Sequence, residues 1–75
     1  MAEAQGSSHS YYPVDNNTYN LLQSLVSKLE ALEAYRKYEK DADSQSRQVF
    51  QNLIREDQEH ARQLLDALKQ ALQRA

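Results

Sequence analysis

The sequence predicts an all-α protein, an antiparallel two-helix hairpin that oligomerises, most simply into a dimeric four-helix bundle. From Asp15 to the last residue there is neither glycine nor proline, so nothing in that stretch breaks a helix from within. Apolar residues recur at three- and four-residue steps through the second half of the chain, which is the spacing of one helical face. A short polar segment over residues 41–44 divides the stretch and provides turn and N-cap chemistry.

The N-terminal residues 1–14 are predicted to form a flexible arm. They contain the single glycine of the chain, Gly6, and its single proline, Pro13, together with a Ser-His-Ser patch. Two interpretations of Tyr11 and Tyr12 stay open, a loosely ordered tail or aromatic rings packed on the helices or on a neighbouring subunit.

The helical hairpin is predicted over residues 15–75, with helix 1 over about 16–42 and helix 2 over about 44–74. The run Asp15-Asn16-Asn17 offers three good N-cap residues directly after the proline, and Asp43 or Ser44 would cap helix 2. The loop between the helices is short, so we expect them to fold back on each other as antiparallel neighbours.

Helix 1 carries apolar residues on two sides. One stripe consists of Leu22, Leu25, Val26, Leu29 and Leu32. Roughly opposite it lie Ala31, Ala34, Tyr35, Tyr38 and Ala42. Such a helix contacts more than one neighbour, whereas a lone hairpin provides one. Because a chain of 75 residues without cysteine has a small core and no disulfides, we expect it to associate with itself as a homodimer or higher oligomer.

The composition excludes several function classes. The net charge is −2, with acidic and basic residues interspersed, so the chain lacks the basic footprint of a nucleic-acid binder. No apolar run approaches the roughly 18 residues of a membrane span. The absence of cysteine and of an N-terminal apolar segment fits a cytoplasmic protein. Neither a glycine-rich phosphate loop nor a Ser/His/Asp framework is present, so we expect no enzyme.

Asp57 and His60 interrupt the apolar stripe of helix 2. They are three residues apart and therefore project to the same side of the helix. A carboxylate at such a position needs a partner, because an unpaired buried charge is costly. In one interpretation Asp57 is a buried polar group that accepts from Arg36, Tyr35 or a symmetry-related residue. In the other, Asp57 and His60 bind a metal, since oxygen and imidazole ligands suit iron, manganese or zinc.

Two segments of the chain resemble the ferritin-like superfamily, in particular its short two-helix members that dimerise to complete a four-helix bundle. They are LEALEAYRKYE at 29–39 and EDQEHARQLL at 56–65. The resemblance implies a dinuclear iron or manganese site at a dimer interface, with ferroxidase or storage activity. The ligands it implies here are Asp57, His60 and either Glu30 or Glu33.

The chain departs from the pattern of that superfamily at two ligand positions. The position three residues before His60 is Asp57 where the superfamily has Glu, and the position seven residues before Tyr38 is Ala31 where it has a metal-binding Glu. We therefore expect a non-enzymatic, homo-oligomeric ferritin-like module for assembly or partner binding, without a cofactor. The alternative is an iron- or manganese-binding protein with a dinuclear site at the dimer interface.

Overall fold

The structure is a computed structural model that describes residues 13–74, and these residues form a helical hairpin. Helix α1 spans Asn16–Asp41 and helix α2 spans Ser44–Arg74. The side chains of Glu39 and Gln51 meet near the turn, and those of Lys28 and Asp57 meet farther from it, so the helices run antiparallel. The all-α hairpin expected from the sequence is confirmed. The arm expected over residues 1–14 lies outside the described residues except for residues 13 and 14, and Tyr11 and Tyr12 lie outside them too.

Hydrogen bonds at the turn fix both helix ends. Asp43 is the N-cap of α2, and its Oδ1 accepts from the Ser46 backbone N–H at 2.7 Å. The Arg47 guanidinium donates from Nη2 to the carbonyl of Ala42 at 3.0 Å and from Nε to that of Glu39 at 3.3 Å. A cation thus covers the carbonyl end of α1, where the helix dipole favours positive charge.

The two helices meet along a seam whose residues alternate three- and four-residue steps. On α1 and its C-cap residue, the buried and half-buried seam positions are Thr18, Leu21, Leu25, Lys28, Leu32, Tyr35, Glu39 and Ala42. On α2 they are Ile54, Asp57, Ala61, Leu64, Leu68 and Ala71. This alternation is the heptad pattern of helices packed side by side, and it averages 3.5 residues per turn.

An aromatic cluster of Tyr35, Tyr38 and Phe50 lies close to the turn. The ring centroid of Phe50 is 6.2 Å from that of Tyr35 and 5.9 Å from that of Tyr38. The second apolar side of α1 was expected to need a neighbour outside the hairpin, but over this stretch α2 itself contacts it. The seam drifts by roughly 20° per heptad around a straight helix, which brings the tyrosines towards α2.

The hairpin buries little apolar side chain. Among residues 13–74 the buried apolar residues are Ala61, Leu68 and Ala71, and no large side chain is fully buried. Exposed large apolar residues are Tyr19, Leu22, Val26, Leu29, Tyr38, Val49, Leu65 and Leu72. Neither described helix is long and apolar enough to cross a membrane.

Candidate functional site

Asp57 is the buried charged residue of the described chain. The seam step places it on α2 between Ile54 and Ala61, against α1, and only 8% of its surface is exposed. A carboxylate in this position loses most of its hydration, so its charge must be compensated by protein groups. The side chains that contact it therefore decide what the site does.

Lys28 of α1 compensates the charge of Asp57. Its Nζ donates to Oδ1 of Asp57 at 2.9 Å, across the seam between the two helices. Neither Arg36 nor Tyr35, the partners expected within the chain, occupies this place. Lys28 is itself a seam residue, and its long aliphatic stem crosses the apolar interface while its ammonium stays partly exposed.

His60 contacts the same carboxylate oxygen from the other side. Its Nδ1 lies 3.1 Å from Oδ1 of Asp57, and 51% of its side chain is exposed. One oxygen of Asp57 thus serves an ammonium from α1 and an imidazole from the next turn of α2. Lys28, Asp57 and His60 thus form a half-buried polar cluster, and His60 is its solvent-exposed edge.

The pKa values of two aspartates reflect their hydrogen bonds. The hydrogen bond from Lys28 lowers the pKa of Asp57, and His60 adds to this effect, while burial of the carboxylate acts in the opposite direction. The pKa of Asp43 is lowered by the N–H of Ser46, to which it is the helix cap. Both carboxylates are thus stabilised in their charged form by folding.

We expect the free energy of unfolding to fall as the pH drops below about 4, the ordinary pKa of an aspartate. The unfolded chain binds more protons than the folded chain in this range, because both pKa values are lowered by folding. The contribution is therefore complete above the unfolded pKa and is lost as the pH falls through the folded pKa. Urea unfolding monitored by circular dichroism between pH 2 and 6 (about four units around that pKa) measures it.

The matched variants for this acid experiment are Asp57→Asn and Asp66→Asn. Asp57→Asn should reduce the acid dependence because one of the two aspartates with a lowered pKa is gone, while the part due to Asp43 remains. Asp66→Asn removes an exposed carboxylate of the same helix and is the control for the loss of one negative charge. Identical acid profiles for the wild type and Asp57→Asn would contradict the account.

The structure brings together only two of the four metal ligands implied by the sequence. Asp57 and His60 are in contact, but Glu30 and Glu33 are exposed on α1, and Glu33 lies 4.0 Å from Lys37. Glu30 follows Lys28 by two residues and therefore lies roughly 160° away from it around the helix. Within residues 13–74 there is no group of three or more His, Cys, Asp or Glu side chains that could hold a metal ion.

Lys28 already provides the positive charge that the Asp57 carboxylate needs. It neutralises the carboxylate and donates a hydrogen bond to it at 2.9 Å. A metal ion bound through Oδ1 of Asp57 would have to displace Lys28 and leave that ammonium to find another partner or more water. Chemically, the cluster is thus suited to holding two helices together.

Comparisons with known proteins give no family for this chain. It matches no known family model, and it has no significant similarity to any curated protein or to any solved structure. The established architecture is therefore the antiparallel hairpin alone. The ferritin-like resemblance rests on the two short segments at 29–39 and 56–65.

Proposed function

We propose that this chain is a non-enzymatic helical module that associates with copies of itself, most simply as a dimeric four-helix bundle of ferritin-like type. Its role in this proposal is assembly or the binding of a protein partner, in the cytoplasm and without a cofactor. The observation that carries the proposal is the set of exposed leucines and valines on a hairpin that buries almost no large side chain.

The exposed residues are of a kind and number that an isolated hairpin does not explain. Leu22, Val26 and Leu29 are exposed on α1, and Leu65 and Leu72 are exposed on α2. Single exposed apolar residues are common, but a contiguous apolar patch on a small protein marks an interaction surface. Pairing of two hairpins would remove such a patch from water and complete the core that one chain lacks.

The polar cluster supports a structural role over a catalytic one. Asp57 is held by Lys28 and His60, and its carboxylate faces the seam between the helices. The ion pair between Asp57 and Lys28 connects α2 to α1. A variant that keeps this contact between the helices should therefore keep the function.

Light scattering during size-exclusion chromatography at micromolar concentration tests this proposal. The expected mass is at least twice the 8.7 kDa of one chain. A helical species that elutes and scatters as one chain would contradict the proposal. The circular dichroism spectrum of the same fraction shows whether that species is folded.

The alternative function is binding of iron or manganese at a dinuclear site between two chains. The observation that favours it is the side-by-side placement of the Asp57 carboxylate and the His60 imidazole, with Oδ1 and Nδ1 3.1 Å apart. A two-fold partner would bring a second pair of the same residues. Two aspartates and two histidines provide few carboxylates for two divalent irons compared with a site that has four glutamates.

We expect the melting temperature of the wild type to stay unchanged when Fe(II), Mn(II) or Zn(II) is added, because Lys28 already neutralises Asp57. A ligand bound only by the folded state raises the melting temperature, so thermal melts measure this directly. The variants Asp57→Asn and His60→Ala serve as controls. An upward shift in the wild type that both variants lose would establish the metal-binding alternative.

A further inference from the structure

We infer that a second copy of this chain docks on one broad side of the hairpin, here called the leucine face, which comprises Leu22, Val26, Leu29, Ala61, Leu65 and Leu72. The inference rests on the proposed function, since it names the surface through which self-association takes place. It goes beyond that proposal because the hairpin has two broad sides, and only one of them is assigned to the second copy.

The leucine face carries a groove and a ridge next to each other. The groove is open, has a volume of about 550 Å³ and runs between the helices; α1 lines it with Leu25, Leu29 and Leu32, and α2 lines it with Gln58, Ala61, Arg62 and Leu65. The small side chain of Ala61 leaves room in the groove for a large side chain from outside. The ridge lies beside it on α1 and consists of the exposed Leu22 and Val26, with Leu29 of the same helical stripe at the border between ridge and groove.

A ridge and a groove on the same side are what a two-fold interface requires. In such an interface both copies use the same patch, so the ridge of each copy must fit the groove of the other. The ridge side chains Leu22 and Val26 are large enough to enter a groove lined mainly by leucine and alanine.

The opposite broad side is less suited to be buried. It carries His60, whose side chain is 51% exposed and contacts Asp57, so covering this side would remove water from the imidazole and from the partly exposed Lys28 ammonium at the adjoining seam. Near the turn, the exposed ring of Tyr38 contacts the rings of Tyr35 and Phe50 within the same chain. Among the side chains that line the groove of the leucine face, Arg62 is the charged one. Nearer the turn, Arg36, Glu39 and Arg55 line a second groove, which shares Gln58 with the first.

The broad side of the hairpin that carries the leucine face has enough area for a stable dimer interface. The hairpin formed by residues 13–74 measures 51 × 22 × 17 Å, so one broad side covers about 1,100 Å² in projection. A standard stable interface buries about 800 Å² on each partner. A second copy that covered most of the leucine face would therefore reach the area that a specific dimer needs.

A pair of cysteine variants tests the assignment, because the chain contains no cysteine of its own. Val26 on the leucine face and Val49 on the opposite side are 44% and 53% exposed. Val49 lies roughly 160° around α2 from Leu65. Each variant is treated with a short bis-maleimide at micromolar concentration, and the dimer fraction is read by denaturing electrophoresis. Light scattering of the untreated variants gives their oligomeric state.

We expect Val26→Cys to cross-link into dimers in a yield at least about tenfold above that of Val49→Cys. Cross-linking through Val49 alone, or through neither site, in a protein that light scattering shows to be a dimer would overturn the assignment of the face and leave self-association intact. A monomer by light scattering would overturn both proposals.

Charge variants of the same two valines provide a second measurement. Val26→Asp places a carboxylate in the dimer interface and should raise the dissociation constant by at least about tenfold, equivalent to about 1.4 kcal/mol. Val49→Asp should leave it within about threefold of the wild type. If Val26→Asp unfolds the chain, the cross-linking result decides. Equal dissociation constants for the two folded variants would overturn the inference.

Discussion

Leu68→Ala is expected to unfold the chain at micromolar concentration. Leu68 is 6% exposed, less than any other large apolar side chain of the described chain, and it lies on the α2 seam between Leu64 and Ala71. Truncation of a buried leucine costs about 2–5 kcal/mol, because the removed methyl groups lose their burial and a cavity is left behind. A chain below about 80 residues has only a few kcal/mol of stability, so this loss equals most of it.

Val49→Ala is the control for the Leu68 variant. Val49 is exposed and lies away from both the seam and the leucine face, so its truncation should change the free energy of unfolding by no more than about 0.5 kcal/mol. Urea unfolding followed by circular dichroism measures both variants. A Leu68→Ala protein as stable as Val49→Ala would show that the seam described here is not the core.

Lys28→Met is expected to destabilise the protein by about 1–3 kcal/mol. The substitution keeps the aliphatic stem but removes the ammonium, so the mostly buried Asp57 loses its strongest hydrogen-bond partner. The same loss should appear in Lys28→Met at every pH at which the Asp57 carboxylate is charged.

A double variant separates the cost of an unpaired charge from the value of the pair. In Lys28→Met/Asp57→Leu both charges are replaced by apolar side chains, and we expect most of the lost stability to return. Lys37→Met is the matched control, because Lys37 lies 4.0 Å from Glu33 with both side chains exposed, and such pairs contribute little. Equal losses in Lys28→Met and Lys37→Met would contradict the role assigned to Lys28.

The Lys28–Asp57 pair also provides a reason for the register of the hairpin. An apolar seam alone tolerates a shift of one heptad, since leucines then meet other leucines. In such a shifted register Lys28 and Asp57 would separate, and each would face apolar side chains without a counter-charge. A buried polar pair can thus select one register of a heptad seam at some cost in stability.

Part of this arrangement was predictable from the sequence. The hairpin followed from the lack of glycine and proline after residue 14 and from the capping residues around the turn, which act locally. The burial of Asp57 and the exposure of His60 followed from the apolar periodicity of α2. This periodicity was a reliable guide because the apolar stripe of α2 and its seam with α1 nearly coincide.

The partner of Asp57 was not predictable by the same reasoning. On α1 the strongest apolar stripe includes Leu22, Val26 and Leu29, which are exposed on the leucine face, whereas the seam includes Lys28. A stripe drawn at 100° per residue therefore follows the wrong side of α1. The alternating three- and four-residue spacing from Thr18 to Ala42 was the sequence signal for the true seam of α1. It is easily missed because Lys28 is charged, and it fits a seam position only because its long aliphatic stem can lie in an apolar interface.

The dependence of the melting temperature on protein concentration shows whether the hairpin folds and associates in one step. If folding and self-association occur together, the melting temperature of the wild type rises as the concentration increases over about two decades, because mass action favours the associated state. Circular dichroism at the helical band provides the measurement at both ends of that range. We predict a clear rise with concentration. A melting temperature that stays constant over the whole range would show that the hairpin folds as a monomer and would contradict the account.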